Sequence, residues 1–359
     1  FSGGITTIGD ALTLHGHQFS EGGFVVEWFN SQVIEASDKT KGKVTASNIA
    51  NSIVLLFSLL IRGRGYSVFH WNTSCGLGAL KDLIIMFFLK KWFGKKVHII
   101  AHIHFACFDD FAFQNGYLNW LLVKFLRYGP DGIAVLSKGF RQELSSKANV
   151  EKKCIEFIPN FHSIQRKATA SFQKRSIDFC FVGSLDQRKG LDLFLKAASE
   201  VEGECNIGIV GSFPSSQVEA KYMALAERVQ KRHQLSFYGY LEASRVEAIM
   251  SNAKCLVLPS RAEGLPLVIL EAFASGCLVI AADVGGISEV MLNKQKKFLI
   301  PSNDYSSLAS CMRSVKGMPV MEFSDISMQN IELSKSYSVE SHIESLMNMW
   351  KRALRIDSH

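Results

Sequence analysis

The chain has 359 residues, 47% of them hydrophobic and 20% charged, with a formal net charge of +7. That length exceeds one ordinary core and predicts two domains, and the composition excludes disordered and fibrous classes. No run of five Lys/Arg occurs, so no nucleic-acid partner is predicted, and eight scattered cysteines without a C-x-x-C pair predict reduced, buried thiols in the cytoplasm.

The longest apolar runs, 53–61 and 83–89, fall short of the roughly 20 residues of a spanning helix. In chain order, YSVFHW (66–71) reads as a strand, 78–93 as a helix and VHIIAHIH (97–104) as a strand. GIAVL (132–136) follows, then a helix capped by Ser137, then CIEFIPN (154–160). The polar, basic stretch 161–176 breaks this rhythm and marks a domain boundary. Beyond it IDFCFVG (177–183), CNIGIVG (205–211), LSFYGY (235–240), CLVLPS (255–260) and CLVIAAD (277–283) are strands. Helices are expected from Leu191, over 216–232 and from Pro266. Strands alternating with helices predict an α/β chain of two doubly wound, Rossmann-like domains.

In such sheets ligands bind just beyond the carboxyl ends of strands. RAEGLPLVILEAFASG (261–276) places Glu263 in a turn and Glu271 on the helix behind it, where the free amides of Gly264 and Leu265 suit an anionic or hydroxyl-rich ligand. FVGSLDQRKGLDLF (181–194) repeats strand, turn and helix with Arg188 and Lys189 in the turn, which suits a diphosphate. Each motif also has a plain structural reading: Glu263 offsetting a helix dipole, Glu271 in a buried network, the cations simply solvated.

Taken together, FVGSLDQRKG, IVGS, FYGY and VLPSRAEGLPLVILEAFASGCLVIAADVGGISEV resemble the donor-binding half of the family-four retaining glycosyltransferases. FSGGITTIG resembles the family's glycine-rich turn after the first strand, and HIIAHIH, AVLSKGFRQEL and FIPNF resemble its other amino-terminal elements. The resemblance implies a GT-B fold of two Rossmann-like domains facing a central cleft. It implies an acceptor-binding domain over 1–165, a nucleotide-sugar-binding domain over 166–340, and a helix over 341–359 that crosses back to the first.

The implied activity is transfer of a hexose-type sugar, with retention, from a UDP- or GDP-sugar to a glycan or lipid-linked oligosaccharide in surface-polysaccharide biosynthesis. Glu271 would take the ribose hydroxyls. Glu263, with Gly264, Leu265, Pro266 and Leu267, would hold the donor sugar, and Lys189 the diphosphate. Gly3 and Gly4 would admit the phosphates closely, Gly239, Tyr240 and Leu241 would border the base, and Gly211 and Tyr238 would also belong to the donor site. His104 would be the active-site histidine. His102, two residues earlier, would point the other way if the strand continues and is an acceptor-side candidate. Asp109 and Asp110 follow in a loop, where they either contact the acceptor or are simply solvated.

Ser184 stands where the family carries an arginine, which leaves Arg188 or Arg261 to supply the missing cation. No D-x-D pair holds a metal, so activity without a cofactor or divalent cation is expected. The segment 80–96, apolar with Lys81, Lys90, Lys91, Lys95 and Lys96, is either a core helix with a solvated end or a peripheral contact with anionic membrane at the inner face of the cytoplasmic membrane. A nucleotide-sugar 2-epimerase of the same fold and a non-catalytic nucleotide-sugar-binding subunit are the competing readings.

Overall fold

The structure, a computed structural model, describes residues 4–28, 46–73, 75–105, 108–150, 155–164 and 174–355. Contacts divide the chain into two units, Phe1–Pro159 with His342–His359, and Asn160–Ser341. The sequence breaks at 165/166 and 340/341 thus differ from the contact boundaries. Residues 165–173 lie outside the described residues.

The first unit carries a parallel sheet in the order β1 (Val68–Thr73), β2 (His98–Ile103), β3 (Gly132–Val135) and β4 (Ile155–Phe157). Alternation along the strands sends Phe69, Trp71, Ile99, Ala101, Ile103, Ile133, Val135 and Ile155 into one apolar cluster. Helices Ala46–Arg62, Gly76–Phe93, Gly116–Tyr128 and Lys138–Lys147 cover that face, contributing Leu59, Leu83, Met86, Leu122, Leu126, Phe140 and Leu144. Ser137 caps the last of these helices, its Oγ accepting from the amide of Phe140 at 3.0 Å. The opposite face bears His70, Asn72 and His102. Helix Val339–Arg355 lies there, and the Trp350 ring packs on His70 and on Phe19 of helix Gly16–Glu21.

Three sequence expectations change in this unit. FSGGITTIG was expected to form a turn after a strand, yet Gly4 opens helix Gly4–Leu14, no described strand precedes it, and Gly3 lies outside the described residues. Helices Ala46–Arg62 and Gly116–Tyr128 were not anticipated, although both are amphipathic. Asp109 and Asp110, expected in a loop, belong to the short helix Phe108–Phe111, and Asp109 pairs with Lys147 at 3.0 Å. The side chain of Asp110 lies outside the described residues.

The second unit holds six parallel strands, β5 (Ile177–Val182), β6 (Asn206–Val210), β7 (Gln234–Phe237), β8 (Ala253–Leu258), β9 (Leu278–Ala282) and β10 (Leu299–Ile300). Their order is β10-β9-β8-β5-β6-β7, so winding reverses between β5 and β8. The central strands are apolar on both faces, as a sheet covered by helices on each side requires. The two-residue β10 is too short to leave a sequence signal. Cys180, Cys205, Cys255 and Cys277 are buried thiols whose pKa values burial pushes up. No described helix is long and apolar enough to cross a membrane.

Candidate active site

The reversal between β5 and β8 sets two strand-end turns side by side although 74 residues separate them in sequence. They approach closely enough that a Cβ on Gly190, at φ 76°, would lie 2.1 Å from the carbonyl oxygen of Pro259, so only glycine fits. The same holds at Gly211, where a Cβ would lie 1.8 Å from the carbonyl oxygen of Gly183.

Asp186 organises the first turn, accepting from the Lys189 amide at 2.9 Å and from Ser184 Oγ at 2.9 Å. Ser184 is therefore engaged inside its own turn. From here Lys189 Nζ reaches Glu263 Oε1 at 2.5 Å across to the second turn, with both side chains largely buried. Arg188 is half exposed, its guanidinium 4.0 Å from Glu263 Oε2.

Arg261 is held elsewhere. Its guanidinium grips Asp192 in a fork at 2.9 and 2.8 Å, also donates to the carbonyl of Gln187, and its amide donates to the carbonyl of Arg188 at 2.8 Å. This lowers the Asp192 pKa despite burial, and raises that of Arg261. Arg261 thus locks the two turns together, which sequence proximity to Glu263 alone did not reveal.

Beyond Glu263 the carbonyl of Gly264 accepts from Gly286 at 2.8 Å and that of Leu265 from Asn160 Nδ2 at 2.6 Å. Their amides donate to no acceptor among the described residues. Pro266 stands at the N-cap in extended conformation, so helix Leu267–Ala274 starts one residue later than expected. Glu271 lies in that helix, half-buried, its carboxylate with no hydrogen-bond or ion-pair partner among the described residues. Burial, and then the nearby charge of Glu247, push its pKa up to about 7. Tyr238 and Tyr240 are exposed beyond the edge strand β7, flanking Gly239 at φ 67°, with Leu241 next in the chain.

In the first unit His104 follows β2, and its Nε2 donates to Asn72 Oδ1 at 3.1 Å. The His102 and His104 ring centroids are 4.5 Å apart, so the two share a face rather than opposing one another. The reason is elementary: strand side chains alternate with period two, so residues i and i+2 lie on one side.

His102 belongs to a directed chain. Trp350 Nε1 donates to His70 Nδ1 at 3.1 Å, which places the His70 proton on Nε2, 3.2 Å from His102 Nδ1. His102 Nε2 then donates to the carbonyl of Ile158 at 3.2 Å, and His342 Nδ1 donates to that of Pro159 at 2.8 Å. Burial drives His70 down to about 3 and His342 to about 4, and lowers His102 well below its usual value. Asn72, His70, His342 and Asp192 had no signal in the sequence, because their partners are distant in the chain. Asp186 differs: its partners are two and three residues away, and its place in a turn before a helix marks it as a turn former. Among the described residues no three of His, Cys, Asp and Glu converge to hold a metal ion.

Comparison with known proteins adds the class. Two parallel α/β units of this kind are the fold of the GT-B glycosyltransferases. Sucrose-phosphate synthase from Thermosynechococcus elongatus superposes with a TM-score of 0.73 at 15% identity, covering 99% of this chain and 94% of that one. HepE of Anabaena, solved with UDP and glucose, gives a TM-score of 0.69 at 14% identity, covering 83% and 82%. Residues 164–322, under half of the chain, match the family model described as glycosyl transferases group 1. An uncharacterized 41.2 kDa protein in the cps region of Klebsiella pneumoniae is 24% identical over 225 residues, 63% of this chain and 57% of that protein. The chain spans 44% to 60% of the length of the first curated relatives it matches.

Proposed function

We propose that the chain is a retaining glycosyltransferase that moves a hexose-type sugar from a UDP- or GDP-sugar to a glycan or lipid-linked oligosaccharide in polysaccharide biosynthesis. The observation that carries the reading is the Lys189–Glu263 pair at the β5/β8 reversal, followed on the next helix by Glu271, whose carboxylate has no partner among the described residues. The family match over these turns, the UDP and glucose of HepE, and the cps region of the Klebsiella relative support it.

In this reading the diphosphate meets Lys189 and Arg188, with Arg188 taking the place of the family's arginine because Ser184 bonds Asp186 and Arg261 bonds Asp192. Gly211 lets backbone approach the donor, Tyr238 to Leu241 border the base, and Glu271 accepts from the ribose. Glu263 and the amides of Gly264 and Leu265 hold the sugar, and His104 is the proposed active-site histidine. Departure of the nucleoside diphosphate builds negative charge at the phosphates and an oxocarbenium-like sugar. Fixed cations and amides lower that barrier. The acceptor hydroxyl attacks from the leaving-group face and gives its proton to the departing phosphate, without a metal ion. The 1–165 domain binds acceptor, the 166–340 domain binds donor, and the enzyme works in the cytoplasm at the inner membrane face.

The test is incubation with a panel of UDP- and GDP-sugars, with and without EDTA, reading nucleotide release. One donor hydrolysed slowly, at a rate unchanged by EDTA, is the expected result. Binding without release from any donor would leave a nucleotide-sugar-binding protein, and manganese-dependent release would remove the metal-free mechanism.

A further inference from the structure

We propose that the outer surface of the helical layer in the first unit, formed by Ala46–Arg62, Gly76–Phe93 and Gly116–Tyr128, docks on an anionic lipid bilayer. The proposal rests on the membrane placement in the reading above and not on its donor chemistry. These helices pack side by side over one face of the β1–β4 sheet, so their outer surfaces look the same way.

On Ala46–Arg62 the apolar residues separate into two stripes. Leu55, Leu56, Leu59 and Leu60 pack against the core, whereas Ile53, Val54, Phe57 and Ile61 point outward and are 50–73% exposed. The outward set follows the spacing i, i+1, i+4, i+8, which is one side of a 3.6-residue helix. The neighbouring helix adds exposed Phe88 and Trp92, one turn apart. The third adds Tyr117 stacked on Trp120, with Lys124 Nζ 4.8 Å from the Trp120 ring centre.

Charge names the partner. The three helices and the turns Gly63–Gly65 and Gly94–Lys96 carry nine lysines and arginines against one carboxylate, the buried Asp82. Of the nine, Lys81 pairs with Asp82, Arg62 with Glu27 and Lys90 with Asp131. Lys91, Lys95 and Lys96 have no carboxylate partner among the described residues. Aliphatic anchors, Trp and Tyr rings, and a fringe of net positive charge fit an interface whose acyl layer takes the apolar stripe and whose phosphates take the unpaired cations. A second copy would set like charge against like charge, and a nucleic acid would have no use for the Ile53, Val54 and Ile61 aliphatic surface.

The test is co-sedimentation of the full chain with vesicles of phosphatidylglycerol and phosphatidylcholine, against phosphatidylcholine alone. Binding to the anionic vesicles is expected, weakened by salt, with a blue shift of tryptophan emission that Trp92→Phe/Trp120→Phe abolishes. Phe57→Glu/Ile61→Glu should weaken binding at least about tenfold through lost apolar burial, and Lys95→Glu/Lys96→Glu at least about tenfold through lost charge attraction. Because these side chains are exposed, both variants should keep the parent melting temperature and nucleotide-sugar binding. Absence of vesicle binding, undiminished binding by Phe57→Glu/Ile61→Glu, or a dimer that this variant dissolves would each overturn the proposal. Vesicle binding with no donor hydrolysis would keep it while the transferase reading fails, and hydrolysis with no vesicle binding would do the reverse.

Discussion

Glu271 gives a prediction whose size follows from its surroundings. Its half-buried carboxylate lacks a partner among the described residues and titrates at about 7 through burial and the charge of Glu247. A ribose offers two hydroxyl donors, which an ionised carboxylate accepts with both oxygens, whereas the protonated group presents a competing donor. If only the ionised form binds, the apparent Kd scales with the fraction ionised, so affinity should fall about tenfold, or about 1.4 kcal/mol, from pH 8 to pH 6. Calorimetry should use the intact nucleotide sugar, because a free nucleotide's terminal phosphate itself titrates near pH 6, as phosphate monoesters do. Glu271→Gln should lose about tenfold or more at pH 8, the worth of a hydrogen bond to a charged group, and should bind with no slope over this range. The folded-state pKa lies above the unfolded one, so ionisation costs stability as pH rises toward and past 7, and the variant should gain stability relative to the parent at pH 8 but not at pH 5. A flat parent profile, or a slope that survives in Glu271→Gln, would refute the ribose role.

Lys189→Met should lower donor turnover by about 10²–10³-fold, the scale of removing one fixed group that stabilises transition-state charge. It leaves the buried Glu263 with only the distant, half-exposed Arg188 for a partner, so Lys189→Met/Glu263→Gln should melt higher than Lys189→Met alone. Arg188→Ala should weaken nucleotide-sugar binding by about tenfold or more with little change in stability, whereas Arg261→Lys should cost about 1–2 kcal/mol of stability by losing the fork to Asp192 and leave affinity nearly intact. The reverse pattern in calorimetry and thermal melts would exchange the two roles. His70 and His342 have folded pKa values far below their unfolded value of about 6.5, so the unfolded chain takes up protons first and stability falls as pH drops below that value. Between pH 6 and 5 the two should together cost about 2 kcal/mol. Denaturant melts monitored through Trp350 should show the loss, and His70→Phe should reduce the slope.

The site was legible in parts. Glu263, Glu271 and Lys189 stand out because ionisable groups between apolar runs and next to helix starts need a reason to be there. What each arginine does was not legible. Arg188 and Arg261 look interchangeable in the sequence, but Asp192, one turn into the next helix, takes Arg261 into a fork and leaves Arg188 half exposed. Ser184 reads as a missing cation, yet its hydroxyl completes an aspartate-centred turn. The histidines were misread for a different reason: His102 and His104 were assigned opposite sides, although strand period alone puts them on the same one.

Sequence alone determined the alternation of buried parallel strands with helices, because the burial period of each segment is written in its own residues. It determined the turns beyond the strands as well, since glycine, proline and charge at strand ends are local features. Only tertiary structure decided that the turn after β5 meets the turn after β8, because strand order depends on side-chain complementarity between segments dozens of residues apart. It alone turned the apolar stretch 53–61 into two stripes, one in the core and one outward, because a helix converts a continuous greasy run into two faces and packing chooses which is covered.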